Sequence, residues 1–129
     1  MKKRTQTVVV LGASNKTHRY SYKAIKLLKQ CGHNIIPVHP KLSDIDGLSV
    51  IANLSKIHDK VDTLTLYVGE ERSKLLIDEI IALNPKRVIF NPGTESKKLV
   101  KKLSQAEIPF IHDCTLIMLE TNHFDISAL

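Results

Sequence analysis

One short segment, which contains a glycine and two cationic side chains, has the clearest chemical potential in this sequence. Residues 12–16 read Gly-Ala-Ser-Asn-Lys, and Arg19 follows three positions later. Small residues let a backbone approach a phosphate closely, and the free N–H groups at the start of a following helix attract an anion. Ser14 would add a hydroxyl group, and Lys16 and Arg19 would add positive charge. This pattern predicts a phosphate-binding loop, although a tight turn without a ligand remains the alternative.

A second basic segment, His39-Pro40-Lys41, directly follows the apolar run of residues 34–38. At this position a dinucleotide-binding domain usually has an Asp or Glu that holds the ribose hydroxyls. The next acidic residue here is Asp44, and only Gly12 matches the G-x-G-x-x-G fingerprint. The sequence therefore disfavours NAD, and NADP or a 3′-phosphorylated nucleotide remains open.

The apolar pattern predicts the elements that position these segments. Short apolar or β-branched runs predict five strands, at residues 7–11, 34–38, 63–68, 87–91 and 108–111. Pro37 lacks an N–H donor, so we expect it near a strand end or at an unpaired position. Apolar residues at helical spacing predict helices, at about residues 21–32, from residue 70 to about 83, and after residue 94, with a final helical turn after residue 113. Thr94 and Asp113 are the predicted helix caps.

Strands and helices alternate almost to the end of the chain. This alternation predicts an α/β fold of the Rossmann-like type, with three αβα layers and a mainly parallel sheet of about five strands. No repeat or linker divides the sequence, so we expect a single domain over residues 1–129. In such a sheet the ligand binds beyond the carboxyl ends of the strands, where the strand order reverses. Four segments would lie there, at residues 12–20, 39–41, 68–70 and 91–94.

Three groups of residues also carry a family resemblance. Gly12-Ala13-Ser14 with Tyr20-Ser21, then residues 36–40 (Ile-Pro-Val-His-Pro), and then Asp113-Cys114 occur in an order and spacing that resembles the small CoA-binding protein family. That family is related to the N-terminal domain of the succinyl-CoA synthetase alpha subunit, and the similarity runs from about Thr7 to Phe124. The resemblance implies a Rossmann-type fold that binds coenzyme A, with contacts at Gly12, Ala13, Ser14, Lys16, Val38, Pro40, Lys41, Val68 and Gly69. Nothing corresponds to the phosphohistidine domain of the synthetase, so acyl-CoA synthesis is not implied.

The loop chemistry and the family resemblance together predict a cofactor-binding set of Gly12, Ala13, Ser14, Asn15, Lys16, Arg19, Ser21, Val38, His39, Pro40, Lys41, Val68, Gly69 and Pro92. The leading hypothesis is non-catalytic binding of coenzyme A or a nucleotide relative, by a module that acts with an enzyme partner or as a homodimer. An NADP-type oxidoreductase and a nucleic-acid-binding protein are the alternatives.

Other residue groups carry simpler interpretations. The six histidines share no H-x3-H or HExxH spacing, so we predict no metal site. The contiguous residues of His112-Asp113-Cys114 point in different directions, which argues against a catalytic dyad. Lys97, Lys98, Lys101 and Lys102 lie opposite apolar residues on one predicted helix and are interpreted as a solvated face.

Composition limits the class of protein. The 129 residues include 19 basic and 13 acidic side chains, for a formal charge of +6, which favours an anionic partner. The 5% aromatic content, without tryptophan, offers little stacking surface for single-stranded nucleic acid. Cys31 and Cys114 are too few for a disulfide framework and are predicted to be buried free thiols of a reducing compartment. No apolar run approaches the ~18 residues of a membrane span, so we expect a cytoplasmic protein with no membrane partner.

Overall fold

The computed structural model describes residues 4–126. Its strands in chain order are β1 (Thr7–Leu11), β2 (Asn34–Val38), β3 (Asp44–Ile45), β4 (Leu48–Ser49), β5 (Thr63–Leu66), β6 (Arg87–Phe90) and β7 (Phe110–His112). The helices are α1 (Tyr20–Gln30), α2 (Glu70–Ser73), α3 (Ile77–Leu83), α4 (Lys97–Gln105) and α5 (Thr115–Glu120), with 3₁₀ turns at Leu54–Lys56 and Lys74–Leu76. None of the helices in this described part is long and apolar enough to span a membrane.

The main sheet has five parallel strands in the order β2-β1-β5-β6-β7. The chain moves outward from β1 to β2 and then continues on the other side of β1 with β5, so the strand order reverses between β1 and β5. Leu11 pairs with Leu66 at this reversal, which brings the carboxyl ends of the two strands level. The arrangement confirms the predicted Rossmann-like α/β fold.

Successive side chains of each strand point to opposite faces of the sheet, which divides the core into two layers. On one face, Val9 and Leu11 of β1 pack in a cluster with Ile80 of α3 and Leu99 of α4. On the other face, Val8 and Val10 pack in a cluster with Ile25 and Leu28 of α1 and Met118 of α5. Because both faces of the sheet are covered, the strand residues are mainly apolar, as is usual for parallel sheets, although β5 alternates Thr and Leu and β6 begins with Arg87. This explains why short β-branched runs were sufficient to find them.

The segment after β2 forms an excursion at the edge of the sheet. Pro37 lies near the end of edge strand β2, as predicted, where its missing N–H disturbs the sheet least. The chain then forms the β3–β4 hairpin around Asp46-Gly47 and returns at Ile51, which forms a parallel bridge with Val38. The returning segment therefore lies beside the carboxyl end of β2.

Both helix-cap predictions were wrong. Ser96, not Thr94, is the N-cap of α4, and its Oγ accepts the N–H of Leu99 at 3.2 Å. The Thr94 hydroxyl instead donates to the Asn91 carbonyl at 2.7 Å, which stabilises the turn before the helix. The N-cap of α5 is Cys114, and Asp113 Oδ1 accepts only the adjacent N–H of Cys114.

Other boundaries also differ from prediction. The helix expected from residue 70 is interrupted at Leu76, whose φ of −112° and ψ of 7° leave helical geometry between the 3₁₀ turn and α3. The last strand begins at Phe110, after Pro109, instead of at residue 108. Cys31 is exposed, not buried, because it is the C-cap of α1 and lies past the apolar stripe of that helix. Cys114 is half-buried.

Candidate functional site

Gly12 forms the turn that opens the site at the end of β1. Its φ is +91°, and a Cβ at this position would lie 2.8 Å from Cγ1 of Val68 and 3.0 Å from the carbonyl carbon of Tyr67. The N–H groups of Gly12 and Ala13 both donate to the carbonyl of Val38, at 3.2 and 3.1 Å. Only glycine adopts this positive φ and allows Val68 and Tyr67 to approach so closely without strain. The turn therefore holds the carboxyl ends of β1, β2 and β5 together at the reversal of strand order.

The loop from Gly12 leads to the start of α1 and supplies cations. Ser14 Oγ accepts the N–H of Lys16 at 3.0 Å, and the N–H of Arg19 donates to the Lys16 carbonyl at 3.0 Å. Arg19 is the N-cap of α1, and its side chain does not cap the helix; the first turn contains no acidic residue. The positive end of the α1 dipole and two flexible cations therefore lie at the same place, an arrangement that favours an anion.

The segment after β2 is held by the ring of His39. The backbone N–H of His39 donates to the Ile51 carbonyl at 3.1 Å. Its Nδ1 accepts the N–H groups of Lys41 and Leu42, both at 3.0 Å. Because Nδ1 is the acceptor, the ring proton lies on Nε2 and the imidazole is neutral. Burial, then the charge of Arg72 and that of Lys41, lower the pKa of His39 below its ordinary value.

These loops surround a cavity of about 770 Å³ at the carboxyl end of the sheet. This volume falls within the range of roughly 300–1,000 Å³ that is typical of small-molecule pockets. Lys16, Arg19 and Arg72 line the cavity together with His39, whereas none of the 25 lining residues is Asp or Glu. The three cations form no ion pair within residues 4–126. The cavity is therefore electropositive.

The cavity brings together almost all of the predicted site. Thirteen of the fourteen predicted residues line it: Gly12, Ala13, Ser14, Asn15, Lys16, Arg19, Ser21, Val38, His39, Pro40, Val68, Gly69 and Pro92. The exception is Lys41, which is exposed and contacts the site through its N–H bond to His39. Contact of these residues with a ligand stays a prediction.

Twelve lining residues lie outside the predicted cofactor-binding set. Tyr20, Gly93 and Thr94 belong to the segments 12–20 and 91–94 that were predicted at this end of the sheet. The lining residues that the sequence did not indicate are Leu11, Leu42, Ala52, Asn53, Leu54, Tyr67, Arg72, Leu75 and Leu76. Ala52, Asn53 and Leu54 lie on the segment that returns beside β2, and Arg72, Leu75 and Leu76 lie on the interrupted helical segment after Gly69. Arg72 is the most informative omission, since it lies only two residues beyond the predicted segment 68–70 and adds a third cation to the lining.

A buried hydrogen-bond network fixes the wall of the cavity on the β6 side. Asn91 Nδ2 donates to Thr65 Oγ1 at 2.7 Å and to the Leu66 carbonyl at 2.8 Å. Asn91 Oδ1 accepts the N–H of Thr115 at 2.9 Å. Asn91 therefore ties the ends of β5 and β6 to the start of α5. This anchoring places the next residues, 92–94, on the cavity.

Tyr67 also lines the cavity, but its hydroxyl is buried. The Thr65 and Thr115 hydroxyls are hydrogen-bonded to each other at 2.8 Å, and the Tyr67 hydroxyl makes no hydrogen bond with the residues that the structure describes. Burial raises the pKa of Tyr67 to about 12, although the neighbouring hydroxyls of Thr115 and Thr65 act in the opposite direction. The phenol is therefore neutral at physiological pH.

Residues that could hold a metal do not gather in this part of the chain. Within residues 4–126, no group of three His, Cys, Asp or Glu side chains is arranged as metal ligands. His112 stacks on Phe90, with ring centroids 4.7 Å apart, and Cys114 is not among the lining residues of the cavity.

Solved structures similar to this chain cover nearly its whole length. An uncharacterized protein is 38% identical, with a TM-score of 0.87 over 94% of this chain and 99% of that chain. A Thermus thermophilus protein is 25% identical, with a TM-score of 0.85 over 93% of this chain and 91% of that chain. An acetyl-coenzyme A synthetase of Ca. Korarchaeum cryptofilum is 20% identical, with a TM-score of 0.72 over 82% of this chain and 25% of that chain. The last likeness shows a shared fold.

Comparison of sequences gives a relative and a family. The uncharacterized protein YneT of Bacillus subtilis is 24% identical over 78 residues, which span 60% of this chain and 58% of YneT. The model of the CoA binding domain family matches residues 6–120, which include every described strand and helix. The chain therefore belongs to the CoA binding domain family, in agreement with the resemblance of its loop motifs.

Proposed function

We propose that this protein binds coenzyme A at the carboxyl end of its sheet and catalyses no reaction on it. One observation carries the proposal: the cavity contains Lys16, Arg19 and Arg72, and none of its lining residues has a carboxylate. Exposed cations that have no acidic partner raise the local positive potential and attract an anionic ligand. Coenzyme A is such an anion, and membership of the CoA binding domain family supports this choice.

The placement of the phosphates follows from the two basic segments. The loop from Gly12 to Arg19 and the start of α1 would hold the pyrophosphate, because the first-turn N–H groups of α1 and the side chains of Lys16 and Arg19 converge there. The segment His39-Pro40-Lys41 would hold the additional phosphate of the ribose. No Asp or Glu lines this end of the cavity to hold a free ribose diol, which argues against NAD.

The side chains of the cavity support binding without chemistry. A general base needs a free lone pair within reach of the reacting proton. Nδ1 of His39 already accepts two N–H groups, and Nε2 carries the proton, so the imidazole cannot serve as a base. The lining residues also include no carboxylate and no cysteine thiol. The residues that surround the cavity therefore contain donors and cations rather than a catalytic pair.

Isothermal titration calorimetry tests the proposal with coenzyme A, dephospho-CoA, NAD and NADP as ligands. We expect coenzyme A to bind most tightly and dephospho-CoA to bind more weakly. Lys16→Gln removes one cavity cation, and loss of a charge-assisted hydrogen bond at this exposed position predicts about a tenfold weaker affinity. Lys98→Gln makes the same change in net charge on α4, away from the cavity, and is the control.

The calorimetry also separates the alternatives. Tighter binding of NADP than of coenzyme A would favour the oxidoreductase, and the absence of any nucleotide binding would refute the proposal. A salt-dependent gel shift tests the nucleic-acid alternative. A cytoplasmic location, a homodimer, an enzyme partner and a single-domain chain stay predictions of this account.

A further inference from the structure

We propose that Arg72 of α2 and the Nε2–H of His39 form a second anion subsite, which binds a phosphomonoester of the ligand and selects for ligands that carry one. This inference rests on the proposed function, because it assigns a residue to one phosphate of the ligand. It also moves the decisive charge from Lys41, on the loop after β2, to Arg72 on α2, the helix that follows β5.

The position of Arg72 supports this assignment. Its side chain is exposed, lines the cavity, and forms no ion pair within residues 4–126. The neighbouring acid Glu71 is already paired, since its Oε2 lies 3.0 Å from Nζ of Lys74. A guanidinium offers a planar set of donors that matches the oxygens of a phosphate. Arg72 is therefore a cation that has no partner in the described chain and faces space large enough for a ligand.

His39 contributes a donor in a fixed state. Its Nδ1 accepts the N–H groups of Lys41 and Leu42, each at 3.0 Å, so the ring is oriented and the proton is held on Nε2. Protonation of Nδ1 would break both hydrogen bonds. The positive charges that act on this ring belong to Arg72 of α2 and to Lys41 of the same loop, and both disfavour protonation of the ring. His39 therefore acts as a neutral donor, and Arg72 supplies the charge.

The subsite is separate from the loop at β1. Arg72 and His39 come from the ends of β5 and β2, whereas Lys16 and Arg19 come from the segment that follows β1. Lys41 is not among the lining residues, so its ammonium group acts through the electrostatic field rather than as the main contact. A ligand with two anionic groups, a pyrophosphate and a phosphomonoester, matches the pair Lys16 and Arg19 and the separate cation Arg72 on one cavity.

A thermodynamic cycle tests the inference. The affinities of coenzyme A and dephospho-CoA, which differ by one phosphomonoester, are measured by calorimetry for the wild type and for Arg72→Gln. We expect Arg72→Gln to weaken coenzyme A about tenfold and dephospho-CoA less than about twofold, because the lost charge-assisted hydrogen bond exists only with the phosphate. Arg72 is exposed, so the melting temperature should not change.

Lys98→Gln is the matched control, because it removes one positive charge from α4 and Lys98 neither lines the cavity nor pairs with an acid within the described chain. The control should leave the ratio of the coenzyme A and dephospho-CoA affinities unchanged. Lys41→Gln should reduce this ratio less than Arg72→Gln does. Equal weakening of both ligands by Arg72→Gln, or no weakening, would overturn the inference while the proposed function stands. A wild-type protein that binds neither ligand would overturn both.

Discussion

The cationic side chains at the two ends of the sheet differ in whether the protein itself supplies their partners. At the carboxyl end, Lys16, Arg19 and Arg72 surround a cavity and have no acidic partner within the described chain. At the amino end, Arg87 is 7% exposed and its guanidinium is held by the protein itself. Nε of Arg87 donates to Thr63 Oγ1 at 3.0 Å, and one terminal nitrogen donates to the Phe124 carbonyl.

The amino end is closed by a continuous network. Thr63 Oγ1 donates to Gln6 Oε1 at 2.6 Å, and Gln6 Nε2 donates to the Phe124 carbonyl at 3.0 Å. The guanidinium of Arg87 lies 4.7 Å from the centroid of the Phe124 ring. Nearby, Asp62 pairs with Lys86 at 3.2 Å and accepts the N–H of Thr7 at 2.8 Å. Every one of these groups has an intramolecular partner.

This difference indicates which cations are structural and which are available for a ligand. A cation whose donors are satisfied inside the chain stabilises the fold, and its removal is expected to cost free energy of unfolding. A cation on a cavity without partners adds little to stability, and its removal is expected to cost affinity. Residue type alone does not separate the two roles, because arginine appears at both ends of the same sheet.

The largest effect is expected for Arg87→Ala. It removes two hydrogen bonds of a buried cation and leaves a cavity, so we expect a loss of about 3–4 kcal/mol in the free energy of unfolding. Urea denaturation measures this loss. Arg87→Met keeps most of the volume and removes the cost of burying a charge, so it should lose clearly less. An Arg87→Ala protein as stable as the wild type would contradict the structural role of the amino end.

Gly12→Ala comes next and affects the carboxyl end. The new methyl group would lie 2.8 Å from Cγ1 of Val68, and alanine is strained at a φ of +91°. We expect a loss of about 2–3 kcal/mol in stability, together with loss of coenzyme A binding. Gly47→Ala is the control. Gly47 has a similar φ of +82°, but a methyl group at this position would have no neighbouring atom of the described chain within 4 Å. A loss no greater than that of Gly47→Ala would show that the loops at the cavity are not tightly packed.

The smallest effect concerns pH and His39. Its pKa is lowered in the folded protein, so the folded state binds fewer protons than the unfolded state below the ordinary pKa of about 6.5. The stabilising contribution of His39 is therefore complete above that pH and is lost as the pH falls. His39→Asn keeps an acceptor for the N–H groups of Lys41 and Leu42 and does not titrate.

Thermal unfolding of the two proteins at pH 7.5 and pH 5 measures this contribution. The melting temperature of the wild type should exceed that of His39→Asn by less at the lower pH, with a change on the order of 1 °C, since the His39 imidazole is partly exposed. A gap that widens as the pH falls would mean that His39 is charged in the folded state.

Local pattern was sufficient to predict the sheet and much of the site. The central strands β1, β5 and β6 are short runs of mainly apolar or β-branched residues that are buried on both faces, so composition reveals them. In a parallel sheet the residues after each strand collect at one end. This is why Gly12, His39 and Gly69 could be placed at one cavity before the structure was known.

Other features depend on tertiary packing, which local pattern does not reveal. Asn53 reaches the cavity because the chain turns back through the β3–β4 hairpin and bridges β2 at Ile51. Arg72 reaches it because α2 begins at Glu70, shortly after the carboxyl end of β5, and its first turn borders the cavity. The choice of Ser96 over Thr94 as a cap depended on which hydroxyl already had a partner, the Asn91 carbonyl.

The central claim is that the carboxyl end of the sheet binds coenzyme A and the amino end only supports the fold. A titration of ¹⁵N-labelled protein with coenzyme A, followed through the backbone amide resonances, tests both halves at once. The account predicts chemical-shift changes concentrated in residues 12–21, 39–42, 68–72 and 92–94, with Gln6, Thr63, Arg87 and Phe124 unchanged. Changes concentrated around Arg87 and Phe124 or on the lysines of α4, with the loop at Gly12 unaffected, would contradict it.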